Sequence, residues 1–255
     1  MKLTILGCSG STGAPHNPAS GYLVQVDNAP GVLMDLGPGA LAKLQEYDNP
    51  AEQHLVLSHL HADHCLDVPS LAVWRRYHPT APSSGRHFLL GPADTISHLG
   101  NNTLEHRDGG DDLSDTFAFT PWEAGVPHIV DRVQITPFPT IHPVETYALR
   151  VTEATTGKTI AYSADSAYTE SLVDCARDAD IFLCEATWGD TSLGKAPDMH
   201  MSGAEAGLLA SRAGAKKLVL VHIPPWGDPE AALRSARENF DGEIVIGDSG
   251  MVFEF

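Results

Sequence analysis

Residues Ser58 to Asp67 read Ser58-His59-Leu60-His61-Ala62-Asp63-His64-Cys65-Leu66-Asp67, and no other stretch of the chain limits the fold as tightly. Ahead of it runs His54-Leu55-Val56-Leu57, a short apolar stretch with strand character. Behind it, Val68-Pro69-Ser70-Leu71-Ala72-Val73-Trp74 has the pattern of a buried helix opening near a proline. The motif therefore occupies a strand-to-helix junction. Side chains at i and i+2 of an extended chain point the same way, so His59 and His61 can converge on one cation. Asp63 and His64 fall where the chain turns into the helix and can face a second cation beside the first. Four ligand-type side chains within six positions just past a buried strand are too dense for a polar loop that merely happens to hold histidine.

His-x-His-x-Asp-His resembles the signature of the metallo-β-lactamase superfamily. The resemblance implies an αββα sandwich, two mixed β-sheets flanked by helices, and more ligands downstream. The chain's 255 residues suffice for one large α/β domain over 1–255, and 42% hydrophobic residues with 18 prolines describe a globular, turn-rich protein. Met1-Lys2-Leu3-Thr4-Ile5-Leu6-Gly7 enters a strand directly, without a charged and then apolar leader, and no apolar run reaches membrane-spanning length. A cytoplasmic location with no membrane partner is the expectation. Cys8, Cys65, Cys175 and Cys184 have neither zinc-knuckle nor CxxC spacing and read as buried free thiols. A net charge of −17 argues against a broad nucleic-acid surface, though cations in a pocket would make it locally positive.

Along the chain, residues 2–7 read as a strand followed by the glycine-rich turn 7–13, which lacks the Lys of a P-loop. Strands are expected at 21–27 and 32–35, a helix at 40–47, a strand at 87–91, a short helix at 93–99, and a polar surface loop or lid over 100–115. Arg75 and Arg76 read as a phosphate contact or, more simply, as a helix-end coat. Strands at 126–128 and 132–138 deliver His142. A hairpin of 147–152 and 158–163 places Asp165 at a strand tip, and 180–188 forms another strand after a helix at 171–177. Ser202 is a plausible N-cap for a helix at 204–213, and a strand over 217–222 ends on His222. A helix at 229–240 and strands at 243–246 and 251–255 close the chain.

The resemblance orders these strand-end residues. Carried over residue by residue, it implies His59, His61 and His142 on one metal, Asp63, His64 and His222 on another, and Asp165 between them. Asp35 would be a hydrogen-bond acceptor beneath the site, although a turn aspartate explains it almost as well. The implied cofactors are two divalent ions, zinc foremost, with Mn or Fe compatible. Asp63 would also orient or deprotonate a bridging water.

Cys184-Glu185-Ala186-Thr187 and His200-Met201-Ser202 resemble the His-Glu-Ala-Thr and His-Ser-Thr motifs of the ribonuclease Z-like branch, with Cys184 in place of His and Met201 inserted. The resemblance implies His200 as general acid and Glu185 as its partner. Between His142 and Asp165 the chain has room for one hairpin and no tRNA-gripping arm. Gly7 to Ser11, His59 to Pro69, Trp74 to Pro79, Cys184 to Trp188 and Val221 to Trp226 together resemble actinobacterial cyclic-nucleotide phosphodiesterases, which implies a small cyclic-nucleotide partner, cyclic AMP to 5′-AMP, rather than tRNA. Trp188, Trp226 and Phe138 could stack on a purine or simply fill core. A tRNA 3′-processing ribonuclease and a non-catalytic metal- or nucleotide-binding module remain as alternatives, and relatives of this kind often pair as homodimers.

Overall fold

Strands joined by turns pair antiparallel here, and strands joined through a helix pair in parallel. The structure, a computed structural model, describes residues 1–103 and 110–255. Strands β1 (Lys2–Gly7), β2 (Gly21–Gln25), β3 (Val32–Leu36), β4 (His54–Val56), β5 (His87–Gly91) and β6 (Phe117–Pro121) belong to one sheet. The second holds β7 (His128–Val130), β8 (Val133–Pro139), β9 (Tyr147–Glu153), β10 (Thr159–Tyr162), β11 (Ile181–Glu185), β12 (Lys217–Val221) and β13 (Glu243–Ile246). The final strand β14 (Val252–Glu254) returns to pair with β1, so the sheet orders are β14-β1-β2-β3-β4-β5-β6 and β13-β12-β11-β10-β9-β8-β7. In each sheet an antiparallel half gives way to a parallel half: β3 through β6 run parallel, as do β10 through β13.

One apolar layer fills the space between the sheets, with Leu3, Ile5, Tyr22, Met34 and Val56 against Ile135, Leu149, Tyr162, Leu183 and Val221. The other faces are covered by helices. On the first sheet lie α1 (Ala40–Leu44), α2 (Ala62–Cys65), α3 (Val68–Tyr77) and α4 (Thr95–Thr103), over Leu6, Leu33 and Leu55. On the second lie α5 (Glu170–Ala176), α6 (Gly203–Ala213) and α7 (Pro229–Arg237), over Phe182, Cys184 and Leu218. Helix α6 begins in a full capping box, Ser202 with Glu205, and ends on Gly214 at φ 67°. It lies so close to α7 that a Cβ on Gly203 would stand 2.1 Å from the Ala232 carbonyl oxygen.

Several expectations shift. Helix α1 stops at Leu44, and one helical turn, α2, precedes the long motif helix. Strand β6 was not anticipated, and the edge strand expected over 126–128 lies at His128–Val130. The stretch 100–115 is not one loop: residues 100–103 finish α4, residues 104–109 lie outside the described residues, and Asp111 is buried. Arg75 neither meets a phosphate nor coats a helix end. It is only 2% exposed and donates to the carbonyls of Ala51, Gln53, Gly85 and Thr116 and to His87 Nδ1. Arg76 pairs with Asp111 and Asp115. All four cysteines are buried free thiols. Among the described residues no helix is long and apolar enough to cross a membrane.

Candidate metal centre

The loops beyond β4, β8, β10 and β12 meet at one rim of the sandwich. His59 and His61 follow β4 while the chain is still extended, and His61 is the N-cap of α2, whose single turn carries Asp63 and His64. Asp165 leaves β10 after Ala164, which sits at φ 51°, and His222 leaves β12 at φ 57°. Left-handed backbone at non-glycine residues is strained, and two such residues here turn ligand-type side chains off parallel strands. Asp35, at φ 58°, is a third.

The resulting constellation has two lobes. His59, His61, His142 and Asp165 bring ligand atoms within 4.8 Å of one another, and Asp63, His64 and His222 do the same. Asp165 stands between them, Oδ1 3.3 Å from His64 Nε2 and 3.4 Å from His222 Nε2, Oδ2 3.7 Å from His59 Nε2. His142 Nε2 lies 3.1 Å from His61 Nδ1, and His64 Nε2 lies 3.2 Å from His222 Nε2.

The outer hydrogen bonds decide where the imidazole protons sit. His64 Nδ1 faces Asp35 Oδ2 at 2.8 Å, and a carboxylate only accepts, so Nδ1 carries the proton. His142 Nδ1 faces the Met199 carbonyl at 2.8 Å with the same result. The Thr187 hydroxyl donates to the His222 carbonyl at 2.9 Å, so at 2.9 Å it accepts from His222 Nδ1. Ser58 Oγ donates to Asp35 Oδ2 at 2.7 Å and therefore accepts from His59 Nδ1 at 3.0 Å. Four histidines thus turn Nε2 lone pairs inward, where they cannot bond to one another. His59 Nε2 and Asp165 Oδ1 are buried without a hydrogen-bond partner. Inward lone pairs, unpartnered buried acceptors and two carboxylates form a set that suits a divalent cation.

The charge balance agrees. Burial pushes His59, His61 and His142 below the usual imidazole value, which keeps them neutral. Burial also opposes charge on His64, but Asp165, Asp35 and Asp63 outweigh it and carry the ring well above its usual value. That surplus of negative charge calls for a proton or a cation. Asp63 and Asp165 are both held ionised: burial raises each carboxyl, and the imidazoles around them, His222 and His64 foremost, outweigh it.

Glu185 and His200 flank the lobes. Glu185 is fully buried at the end of β11; Oε1 accepts from Ser166 N at 2.7 Å and from His200 Nδ1 at 3.0 Å, and Oε2 accepts from Thr187 N at 3.3 Å. Burial disfavours the charged ring of His200, yet Glu185 and then Asp165 and Asp63 raise its pKa above the usual value. Its Nδ1 lies 3.9 Å from Asp165 Oδ2. Beside it opens a cavity of about 610 Å³ lined by Trp188, Trp226, Lys195, Arg234 and Ser11 among others. Phe138 is not among the lining residues and packs into the layer beneath α5 to α7. The glycine-rich turn underlies the site: a Cβ on Gly10 would stand 2.2 Å from the His222 carbonyl oxygen.

Each site residue expected from the sequence is thus at this rim. Sequence reasoning missed the groups that orient them: Ser58, Tyr162, whose hydroxyl donates to Asp35 Oδ2 at 2.9 Å, Thr187 and the Met199 carbonyl. Ser58 and Thr187 adjoin motifs already singled out; a backbone carbonyl leaves no mark in sequence.

Residues 31–223 match the β-lactamase superfamily domain. The uncharacterized protein Rv1339 of Mycobacterium tuberculosis is 45% identical over 244 residues, covering 96% of this chain and 88% of its own. The probable metallo-hydrolase YhfI of Bacillus subtilis is 34% identical over the full length of both chains, and its crystal structure superposes with a TM-score of 0.86 over 100% of this chain and 99% of that one. A ribonuclease Z of Halorubrum lacusprofundi is 26% identical over all of this chain and 97% of its own. With the fold, the two-lobed cluster and these relatives in agreement, the chain belongs to the metallo-β-lactamase superfamily and is one of its metallo-hydrolases.

Proposed function

We propose that this metallo-hydrolase is a phosphodiesterase acting on 3′,5′-cyclic nucleotides, cyclic AMP to 5′-AMP foremost. The observation that carries the reading is the Glu185–His200 pair, a proton donor held at 3.0 Å by a buried carboxylate beside Asp165 and at the mouth of the cavity. His59, His61 and His142 would hold one divalent ion and Asp63, His64 and His222 a second, with Asp165 shared, zinc being the first choice for such N and O donors. Bound there, the ions supply Lewis acidity at a phosphoryl oxygen and a water that ionises near neutral pH.

The protein's own groups do the rest. Asp63, ionised across the neutral range, accepts a hydrogen bond from the attacking water and orients it. His200, with Nδ1 tied to Glu185, presents Nε2 to the leaving 3′ oxygen and protonates it. Glu185 holds the ring and offsets its charge. A sugar alkoxide is a poor leaving group and needs that proton.

Two further features favour a small substrate. The cavity of about 610 Å³ is of the size of small-ligand clefts, roughly 300–1,000 Å³. Between His142 and Asp165 the chain is spent on β9, β10 and their turn, with no projecting arm. The test is metal analysis of the protein followed by a panel of cyclic AMP, cyclic GMP, cyclic dinucleotides and precursor tRNA, with products separated by chromatography. The expected product is 5′-AMP. Intact cyclic AMP, under conditions in which bis(p-nitrophenyl) phosphate is cleaved, overturns the reading, and cleavage of precursor tRNA with salt-sensitive binding replaces it with a ribonuclease.

A further inference from the structure

The two tryptophans on the cavity wall are in different states. Trp188 is already engaged. Its ring meets His200 edge-on, centroids 5.1 Å apart at 83°, and Lys195 Nζ stands over it at 5.8 Å. Its backbone N–H bonds the Met201 carbonyl at 3.0 Å, next to His200. Trp226 is 72% exposed, and among the described residues its indole has no ring or cation partner.

A large apolar ring left open to water on the wall of a cleft carries unspent burial free energy. The turn that carries the ring is held in place. Pro224 and Pro225 fix two backbone torsions ahead of it, and Gly227 N bonds the Pro224 carbonyl at 2.8 Å to close the turn. Gly227 admits no Cβ, which would stand 2.8 Å from Ile223 Cγ2. His222, at the head of this turn, belongs to the metal cluster, so the turn ties the backbone of Trp226 to the site. The charged residues along the same wall are mixed in sign, Lys195 and Arg234 with Asp190 and Asp228. A mixed edge suits the donors and acceptors of a nucleobase and would not select a polyanion.

We infer, resting on the phosphodiesterase reading, that Trp226 is the platform on which the substrate's purine stacks, while Trp188 positions His200 and binds no base. The site then selects phosphodiesters that carry a base, purines ahead of pyrimidines. The test compares binding of 5′-AMP and ribose 5-phosphate to the metal-replete protein by calorimetry, with steady-state kinetics on cyclic AMP alongside. Wild-type protein is expected to prefer 5′-AMP, and Trp226→Ala to narrow that preference on the order of tenfold, the scale of one lost base stack. Trp226→Phe should keep most of it. On cyclic AMP the alanine change should appear in KM, with kcat little altered.

An unchanged preference in Trp226→Ala, or none in the wild type, overturns the inference. The two readings fail separately. If cyclic AMP is not hydrolysed but the preference exists and is lost in Trp226→Ala, stacking stands and the phosphodiesterase reading falls. If cyclic AMP is hydrolysed with an unchanged KM in the variant, the reverse holds.

Discussion

Replacing Asp35 with asparagine should damage a centre to which it supplies no ligand atom. The carboxylate is fully buried and accepts four hydrogen bonds, from Ser58 N and Ser58 Oγ at 2.7 Å each, His64 Nδ1 at 2.8 Å and the Tyr162 hydroxyl at 2.9 Å. An amide presents an NH₂ in place of one oxygen. If it replaces Oδ2 it faces three donors, and if it replaces Oδ1 it faces the Ser58 N–H. At least one charge-assisted bond is lost and its donor stays buried, a destabilisation of about 2–4 kcal/mol. His64 is then free to move its proton to Nε2 and donate to Asp63 or Asp165, which removes an inward lone pair. Ser58 relays the loss to His59. Losing such an outer partner typically lowers metal affinity about 10–100-fold. Competition against a chromogenic chelator reads the affinity, and urea unfolding reads the stability. Ser58→Ala takes the acceptor from His59 Nδ1 and one of the four donors from Asp35, but leaves the His64–Asp35 bond in place, so it should weaken one ion's binding while sparing the other. If Asp35→Asn holds its ions as tightly as the parent, or if Ser58→Ala weakens both equally, the tautomer reasoning is wrong.

Glu185→Gln removes the charge that raises the His200 pKa, so the alkaline limb of the rate profile should move to lower pH, because the acid form is lost as pH rises through that pKa. The same variant should lose about 10²–10⁴-fold on an alkoxide leaving group and far less on p-nitrophenolate, which needs no proton; equal losses on both would discredit the acid role. Asp180 is held down to about 2, where burial is outweighed by Lys216, the Thr159 amide and Lys158. Its folded value lies below the ordinary 3.8, so its contribution is present above pH 3.8 and fades as pH falls toward 2. Asp180→Asn should therefore lower the urea midpoint at pH 7 and flatten its fall over that acid window. Arg75→Met strips four backbone carbonyls of a buried donor and should cost about 3–5 kcal/mol in urea unfolding, while a loss under 1 kcal/mol would show that water replaces the guanidinium.

Some of this was legible in the chain. The strands around the centre read correctly because their apolar runs end at histidine or aspartate, and the α6 start read correctly because Ser202 is an N-cap type of residue, to which the structure adds Glu205 as the second half of a capping box. Strand β6 was missed because Phe117-Ala118-Phe119-Thr120-Pro121 is short, ends on proline and gains its strand state by pairing in parallel with β5. Arg75 was misread for a related reason. A cation next to Arg76 near a helix end looks solvated until the carbonyls of Ala51, Gly85 and Thr116, distant in sequence, close over it.

What the sequence determined by itself is chemical type and local direction: which side chains can bind a cation, and that each follows a strand. Periodicity and composition suffice for that because they act over a few neighbouring residues. Only the tertiary structure decided which nitrogen of each ring faces inward, since the deciding partners, Asp35 for His64, Thr187 for His222 and Met199 for His142, come from other strands and loops. A proton's place on an imidazole follows the acceptor it meets, and that meeting exists only once the two sheets have closed.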